Sequence, residues 1–293
     1  MTKNTIQRLL IFFLGIPLFI AVVVFASFGR NILLLLVVLV VQYLAVGEAS
    51  ALFAAKKIKV RKNLIVMLSL AASLVVFLSP DLVTMLPGSH TALELLLASS
   101  VLGSLAVLTP FAFAKKEEFA DILPNAAASL FVFFYCGVLG SFFVYVTSCF
   151  GQYVAPVLTF TLMTFGNDSL AWLTGVTLGR KRGIVAVSPS KSLAGFIGGF
   201  SGSIIAGLIS YLIFPGSGFG SLAGPIFLGL AMGCSVIVGD LAESALKRSA
   251  GVKDSSSLVP GRGGVLDSFD SLLFSAPIFV LISSLLGFFP PQV

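Results

Sequence analysis

The sequence predicts an all-α, polytopic integral membrane protein with about nine transmembrane helices and a cytoplasmic N-terminus, and three observations predict it. The 293 residues are 57% hydrophobic and 10% charged, with a mean hydropathy of +1.08, whereas about a quarter of the residues of a soluble domain are charged. Nine apolar stretches approach or exceed the ~20 residues that a helical span needs. The third observation is where the cations fall between those stretches.

The first stretch, 9–28, is too long for a signal-peptide core and no small-residue cleavage site follows it, so it reads as a retained span. The others are 32–53, 64–80, 92–113, 126–147, 153–178, 193–214, 222–243 and 271–289. With Lys3 and Arg8 in the cytoplasm, Lys56, Lys57, Lys59, Arg61 and Lys62 fall in the next cytoplasmic loop, and Lys115 and Lys116 in the second. Arg180, Lys181, Arg182 and Lys191 take the third, and Lys247, Arg248, Lys253 and Arg262 the fourth. Only Arg30 lands outside, so 17 of the 18 Lys and Arg obey the positive-inside rule with an external C-terminus. That asymmetry accounts for the net charge of +6 without nucleic acid as a partner, leaving membrane lipids, including anionic headgroups beside loop 56–62, as the natural contact. The chain is expected to divide into N-terminal transmembrane helices, 1–150, and a C-terminal transmembrane region, 151–293, with cytoplasmic loops 178–192 and 247–270.

Composition also removes chemistries. Cys136, Cys149 and Cys234 lie singly in apolar surroundings without metal-ligand spacing and read as packing residues. The one histidine, His90, falls in an external loop beside Pro87 and Gly88, which argues against a histidine base or histidine-held metal.

Ionisable groups within spans cost at least ~2.5 kcal/mol each at mid-helix on insertion scales, so each marks a functional site by default. Glu48, Asp168, Asp240 and Glu243 all lie past the midpoint of spans that run from outside to inside, which gathers them toward the cytoplasmic face. Asp240 and Glu243, three apart, share a helical face, and Asp267 and Asp270 repeat the spacing before the ninth stretch. Carboxylates brought together this way call for a cation, and oxygen ligands point first to Mg2+. All of these acids except Asp168 also have a structural reading. Asp240 and Glu243 pair with Lys247 along one face, Asp267 and Asp270 serve a helix N-terminus, and Glu48 is solvated at the interface.

Two loops have phosphate-binding chemistry. "LGRKRGIVAVSPSKSLAGFIGG", 178–199, sets Arg180, Lys181, Arg182 and Lys191 among Gly, Ser and Pro and then opens a helix, as an anion site does. "KRSAGVKDSSSLVPGRGGVLDSFD", 247–270, adds Lys247, Arg248, Lys253 and Arg262, and its "GRGG" permits close approach of backbone to a ligand. Neither has a Walker A pattern. The glycine-rich spans "GFIGGFSGSIIAG" and "GPIFLGLAMG" permit close helix packing, within one chain or between the chains of a homodimer.

The stretch "DLAESALKRSAGVKDSSSLVPGRGGVLDSFD" resembles the C-terminal signature of the phosphatidate cytidylyltransferases, or CDP-diglyceride synthases. Ser244, Lys247, Arg248, Lys253, Asp254, Ser256, Pro260, Gly263, Gly264, Asp267 and Asp270 match it at the family's spacing. "NDSLAWLTGVTLGR" and "SPSKSLAGFIGG" resemble its Asp-containing helix and its Ser-Pro-x-Lys-Thr/Ser loop, so the likeness runs from about Gly166 to the end. Arg262 stands where the family has His, Ser268 where it has Arg, Val259 where Leu, Ile or Phe is usual, and Leu193 and Ala194 where it has Trp-Glu.

The resemblance implies that CTP and phosphatidic acid give CDP-diacylglycerol and pyrophosphate, with the site at the cytoplasmic face of a bacterial inner membrane. It implies Mg2+ on Asp240 and Asp267 with Asp168 and Asp270 beside them, and leaves room for a second, monovalent or divalent, cation. Lys191, Ser188, Ser192, Lys247, Arg248, Arg262, Gly263 and Gly264 are expected around the phosphates, and Lys253 and Asp254 among the catalytic residues. A CTP-dependent lipid kinase, a non-catalytic relative and a transporter stay open as alternatives.

Overall fold

The computed structural model describes residues 16–25, 30–87, 91–151 and 153–290; Lys3, Arg8 and His90 lie outside them. The described chain is helical: α1 (Ile16–Phe25), α2 (Ile32–Ala54), α3 (Lys62–Met85), α4 (Ala92–Ala112), α5 (Phe119–Val132), α6 (Leu139–Ser148), α7 (Val154–Thr177), α8 (Leu193–Ile213), α9 (Ala223–Ala250) and α10 (Leu266–Leu286). A 3-10 turn, Lys116–Glu118, leads into α5, and a π turn, Phe133–Val138, joins α5 to α6. Among the described residues the only β pairing is two isolated bridges, Arg182 with Ser192 and Val259 with Gly263.

Seven segments among the described residues are long and apolar enough to cross a membrane: α2, α3, α4, the continuous run 116–148, α8, α9 and α10. With α7 and the described part of the first stretch they account for the nine predicted segments. α7 is 24 residues long, but Asn167, Asp168 and several threonines dilute its apolar character.

Two boundaries differ from expectation. α9 continues to Ala250 and stops at Gly251, whose φ of 80° is the left-handed cap that glycine adopts without strain. α10 begins at Leu266. Lys247, Arg248, Asp267 and Asp270 are therefore helical, and the loop predicted as 247–270 is 251–265. Ion pairing across the helices explains the extension: polar residues with partners can continue a helix past the apolar core. The other loop begins and ends where predicted, between the end of α7 and Ser192, whose hydroxyl caps α8 by accepting from Gly195 N at 3.1 Å.

α7 and α8 form the most extensive helix pair, with α9 on α8 and α10 on α9. The glycine-rich spans make these contacts within the chain. A Cβ at Gly202 would meet Gly166 of α7, and one at Gly229 of α9 would meet the α8 backbone at Ile204. Asn167 Nδ2 donates to Ser203 Oγ at 3.1 Å, and Thr174 Oγ1 to Ala194 O at 2.9 Å, closing the α7–α8 seam with hydrogen bonds. In the N-terminal half, the π turn frees carbonyls at Cys136 and Gly137 that buried Gln42 of α2 satisfies, at 3.3 and 3.0 Å. Gln42 Oε1 in turn accepts from Ser73 Oγ at 2.8 Å.

The cation-bearing loops share one end of the bundle. Lys59 N donates to Asn125 Oδ1 at 2.8 Å and Arg61 N to Ser129 Oγ at 3.3 Å. The Arg61 guanidinium lies over Phe111 at 5.0 Å, and Ser255 and Ser256 reach Glu48 near the end of α2. The opposite end is aromatic: Phe150, Phe219, Phe279, Phe288 and Phe289 pack edge-on or stacked, and Phe289 N donates to Ser217 O at 2.8 Å.

Candidate active site

At the cation-rich end, the C-terminal halves of α7 and α9, the starts of α8 and α10 and the two loops enclose a cavity of about 560 Å³. Nine of the expected site residues line it: Asp168, Lys191, Ser192, Asp240, Lys247, Asp254, Arg262, Asp267 and Asp270. Arg182 joins them, so five carboxylates and four cations face one space. Its apolar wall is Trp172, Val176, Phe196 and Ile237, with Trp172 and Val176 exposed.

The charges are paired between elements. Lys191 from the first loop forms an ion pair with Asp240 of α9, so Asp240 does not take Lys247, the partner that helical spacing suggested. Lys247 bridges Glu243, one turn back on α9, and Asp267 of α10. The expected Glu243–Lys247 pair is present, but Glu243 is 1% exposed. Such a carboxylate needs its counter-charge, because a buried ion stripped of its partner costs several kcal/mol. Asp267 Oδ2 also accepts from Ser255 N at 2.8 Å, Ser255 Oγ at 2.9 Å and Gly264 N at 2.6 Å. Asp270 takes only the adjacent Ser271 N, at 2.6 Å, and Asp168 makes no hydrogen bond or ion pair among the described residues.

Other predicted residues stand back from the cavity. Lys253 and Arg248 are exposed. Ser188 shapes its loop, donating N–H to Val185 O at 3.2 Å while its carbonyl accepts from Lys191 N at 3.1 Å. Gly263 and Gly264 of "GRGG" allow a close approach, but to carboxylates of the chain itself. A Cβ on Gly263, whose φ is 107°, would lie 2.6 Å from Asp267 Oδ2, and one on Gly264 2.5 Å from Glu48 Oε2. Arg262, at the tip of that turn, does reach the cavity, while Ser268 turns its hydroxyl back to Gly264 O at 3.1 Å.

Glu48 requires a correction. It is not solvated at an interface but buried, 9% exposed, with hydrogen bonds to the 255–266 segment. It is the only acidic residue among the first 80, set in an apolar helix, and that isolation was the available signal. Ser255 carried no signal beyond its composition.

The sequence profile of the Cytidylyltransferase family matches residues 6–286. The chain belongs to that family. Membership therefore extends through the N-terminal helices, well beyond the segment from Gly166 onward. The family chain is 35% identical to the phosphatidate cytidylyltransferase of Thermotoga maritima over 179 residues, 60% of this chain and 66% of the relative. It is 39% identical to that of Synechocystis over 127 residues, 43% of this chain and 41% of the relative. It is 43% identical to the uncharacterized protein YnbB of Escherichia coli over 124 residues, 42% and 40% of the two chains. The matches span 40 to 66% of these relatives' own lengths.

Proposed function

We propose that this family member is a phosphatidate cytidylyltransferase, making CDP-diacylglycerol and pyrophosphate from CTP and phosphatidic acid. The observation that carries the reading is the cavity, which sets four cations and five carboxylates beside an apolar wall at one end of a membrane-spanning bundle. A lipid phosphate and a nucleoside triphosphate both need cationic partners, and acyl chains need an apolar flank. Relatives carrying the name phosphatidate cytidylyltransferase support the same reading. The gathering of cation-rich loops at the cavity end supports a cytoplasmic site in a bacterial inner membrane, where CTP is available.

In this reading an oxygen of the lipid phosphate attacks the α-phosphorus of CTP in line. The new P–O bond forms as the bond to the β-phosphate oxygen breaks, and pyrophosphate leaves with that electron pair. The attacking oxygen is already anionic at neutral pH, so the site needs no histidine base. Catalysis is then positioning and charge neutralisation. Lys191, Lys247, Arg182 and Arg262 bind phosphate oxygens, and Arg262 offers a bidentate fork. Ser192 holds the start of α8, and Trp172 and Val176 flank the lipid.

The donor set fits Mg2+ in kind, being all carboxylate oxygen. Among the described residues no group of three or more His, Cys, Asp or Glu is placed to hold a metal ion; Mg2+ is usually held by one or two carboxylates plus substrate phosphates. Asp168 and Asp270 are free to take it. Asp240 and Asp267, which pair with Lys191 and Lys247, would stand beside it. When bound, Mg2+ would neutralise phosphate charge.

The test is purified protein with phosphatidate in vesicles, labelled CTP and Mg2+. CDP-diacylglycerol with pyrophosphate is the expected result. CDP with a phosphorylated lipid would mean kinase chemistry, and no product across metals and pH would overturn the enzyme reading.

A further inference from the structure

Glu48 lies on α2, outside the cavity and outside the half of the chain that bears the signature. Its carboxylate accepts four hydrogen bonds: Ser256 Oγ at 2.7 Å and Val265 N at 2.9 Å on Oε1, Leu266 N at 2.7 Å and Ser255 Oγ at 2.9 Å on Oε2. The two backbone donors belong to the start of α10, where the first N–H groups of any helix lack partners within it. α10 has no side-chain cap of its own, since Val265 holds that position. Glu48 caps it from another helix.

A Ser or Asp at 265 would cap α10 locally by accepting from the N–H of 267 or 268, without a carboxylate in an apolar span. A local cap would not, however, reach Ser255. The Ser255 hydroxyl is 2.9 Å from both Glu48 Oε2 and Asp267 Oδ2. It has one proton, so it ties the two carboxylates together by donating to one at a time. Ser255 N and Gly264 N complete the hold on Asp267 Oδ2, which leaves Oδ1 toward Lys247 and the cavity.

We propose that Glu48 is a positioning residue for cytidylyl transfer, acting through Ser255 and the 255–266 segment to aim Asp267 at the cavity. The proposal rests on the reading of the cavity as the site of transfer. The experiment compares Glu48→Gln, Glu48→Ala, Ser255→Ala and the Glu48→Ala/Ser255→Ala double variant with wild type, all as full chains in detergent. Amide hydrogen exchange and turnover of labelled CTP with phosphatidate vesicles are read per mole of folded protein. Glu48→Gln keeps the shape but turns an amide NH2 toward two donors. Exchange should quicken at least tenfold in 255–266 and stay unchanged in α7 and α8. Turnover should fall about 10- to 100-fold, the scale of a displacement of ~1 Å in a catalytic group. The double variant should be within about twofold of Glu48→Ala, because both changes cut one link.

Unchanged exchange in Glu48→Gln overturns the proposal. So does faster exchange with turnover within threefold of wild type, which would make Glu48 a structural anchor only. So do independent, multiplying effects of the two single variants. Where Glu48→Ala does not fold, Glu48→Gln and Ser255→Ala with their own double variant decide. An inactive wild type overturns the transfer reading itself, and exchange then reports the anchor alone.

Discussion

The two ends of the bundle are closed by opposite means. At the aromatic end, Phe219 and Phe288 meet edge-on at 4.8 Å between ring centres, Phe160 and Phe279 at 5.4 Å, and Phe279 and Phe289 stack at 5.7 Å. Each such pair contributes roughly 0.5 to 1.5 kcal/mol beyond its burial, and none has a valence left for a ligand. At the cation-rich end, Lys191 with Asp240 and Lys247 with Glu243 and Asp267 neutralise one another across helices. A phosphate or a cation can take over either half of such a pair. Shape closes one end permanently, and charge closes the other exchangeably.

Substitutions can break this contrast. Lys247→Met should have the largest effect, because it leaves the buried Glu243 and Asp267 without their cation. We expect about 3 kcal/mol of lost stability on the scale for breaking buried pairs, with turnover at background, read by thermal unfolding in detergent and by the CTP assay. Asp267→Asn should fold and insert but lose at least ~100-fold in turnover, on the scale of removing one group that stabilises developing charge; near-wild-type turnover would remove Asp267 from the machinery. Phe279→Ala should do the reverse. Its ring is fully buried, so roughly 3 kcal/mol of stability goes while turnover per folded molecule holds. Arg30→Gln should do least. The Arg30–Asp81 pair is half exposed at the aspartate, and such pairs are worth about 0 to 1 kcal/mol. A change in turnover there would mean that the two ends are coupled.

The helices were legible in the sequence because the bilayer imposes length and apolarity, and the 178–192 loop was legible to the residue. So was the convergence of Asp168, Asp240, Asp267 and Asp270 with Lys191 and Lys247, since alternating spans must return their ends to one side. The pairing within the cluster was not. Helical spacing sees only neighbours on one helix, and it linked Asp240 to Lys247 where packing gives Asp240 to Lys191 on another element. Glu48 was hidden by the same logic: its partners lie 207 to 218 positions away, and two of them are backbone N–H groups with no side-chain signature.

The π turn at Phe133–Val138 bears on how this chain tolerates insertions and deletions. A π turn is an α-helix that has absorbed one surplus residue. Removing any one residue from it would restore regular winding and turn one flank against the other by about 100°. Val132 and Val144, both fully buried, would then no longer share the core, and Gln42 would face carbonyls already bonded within the helix. The span would look more regular, yet the protein would be the worse for it. A deletion scan through 119–148 should therefore find its least tolerant positions at this turn, where the winding is loosest.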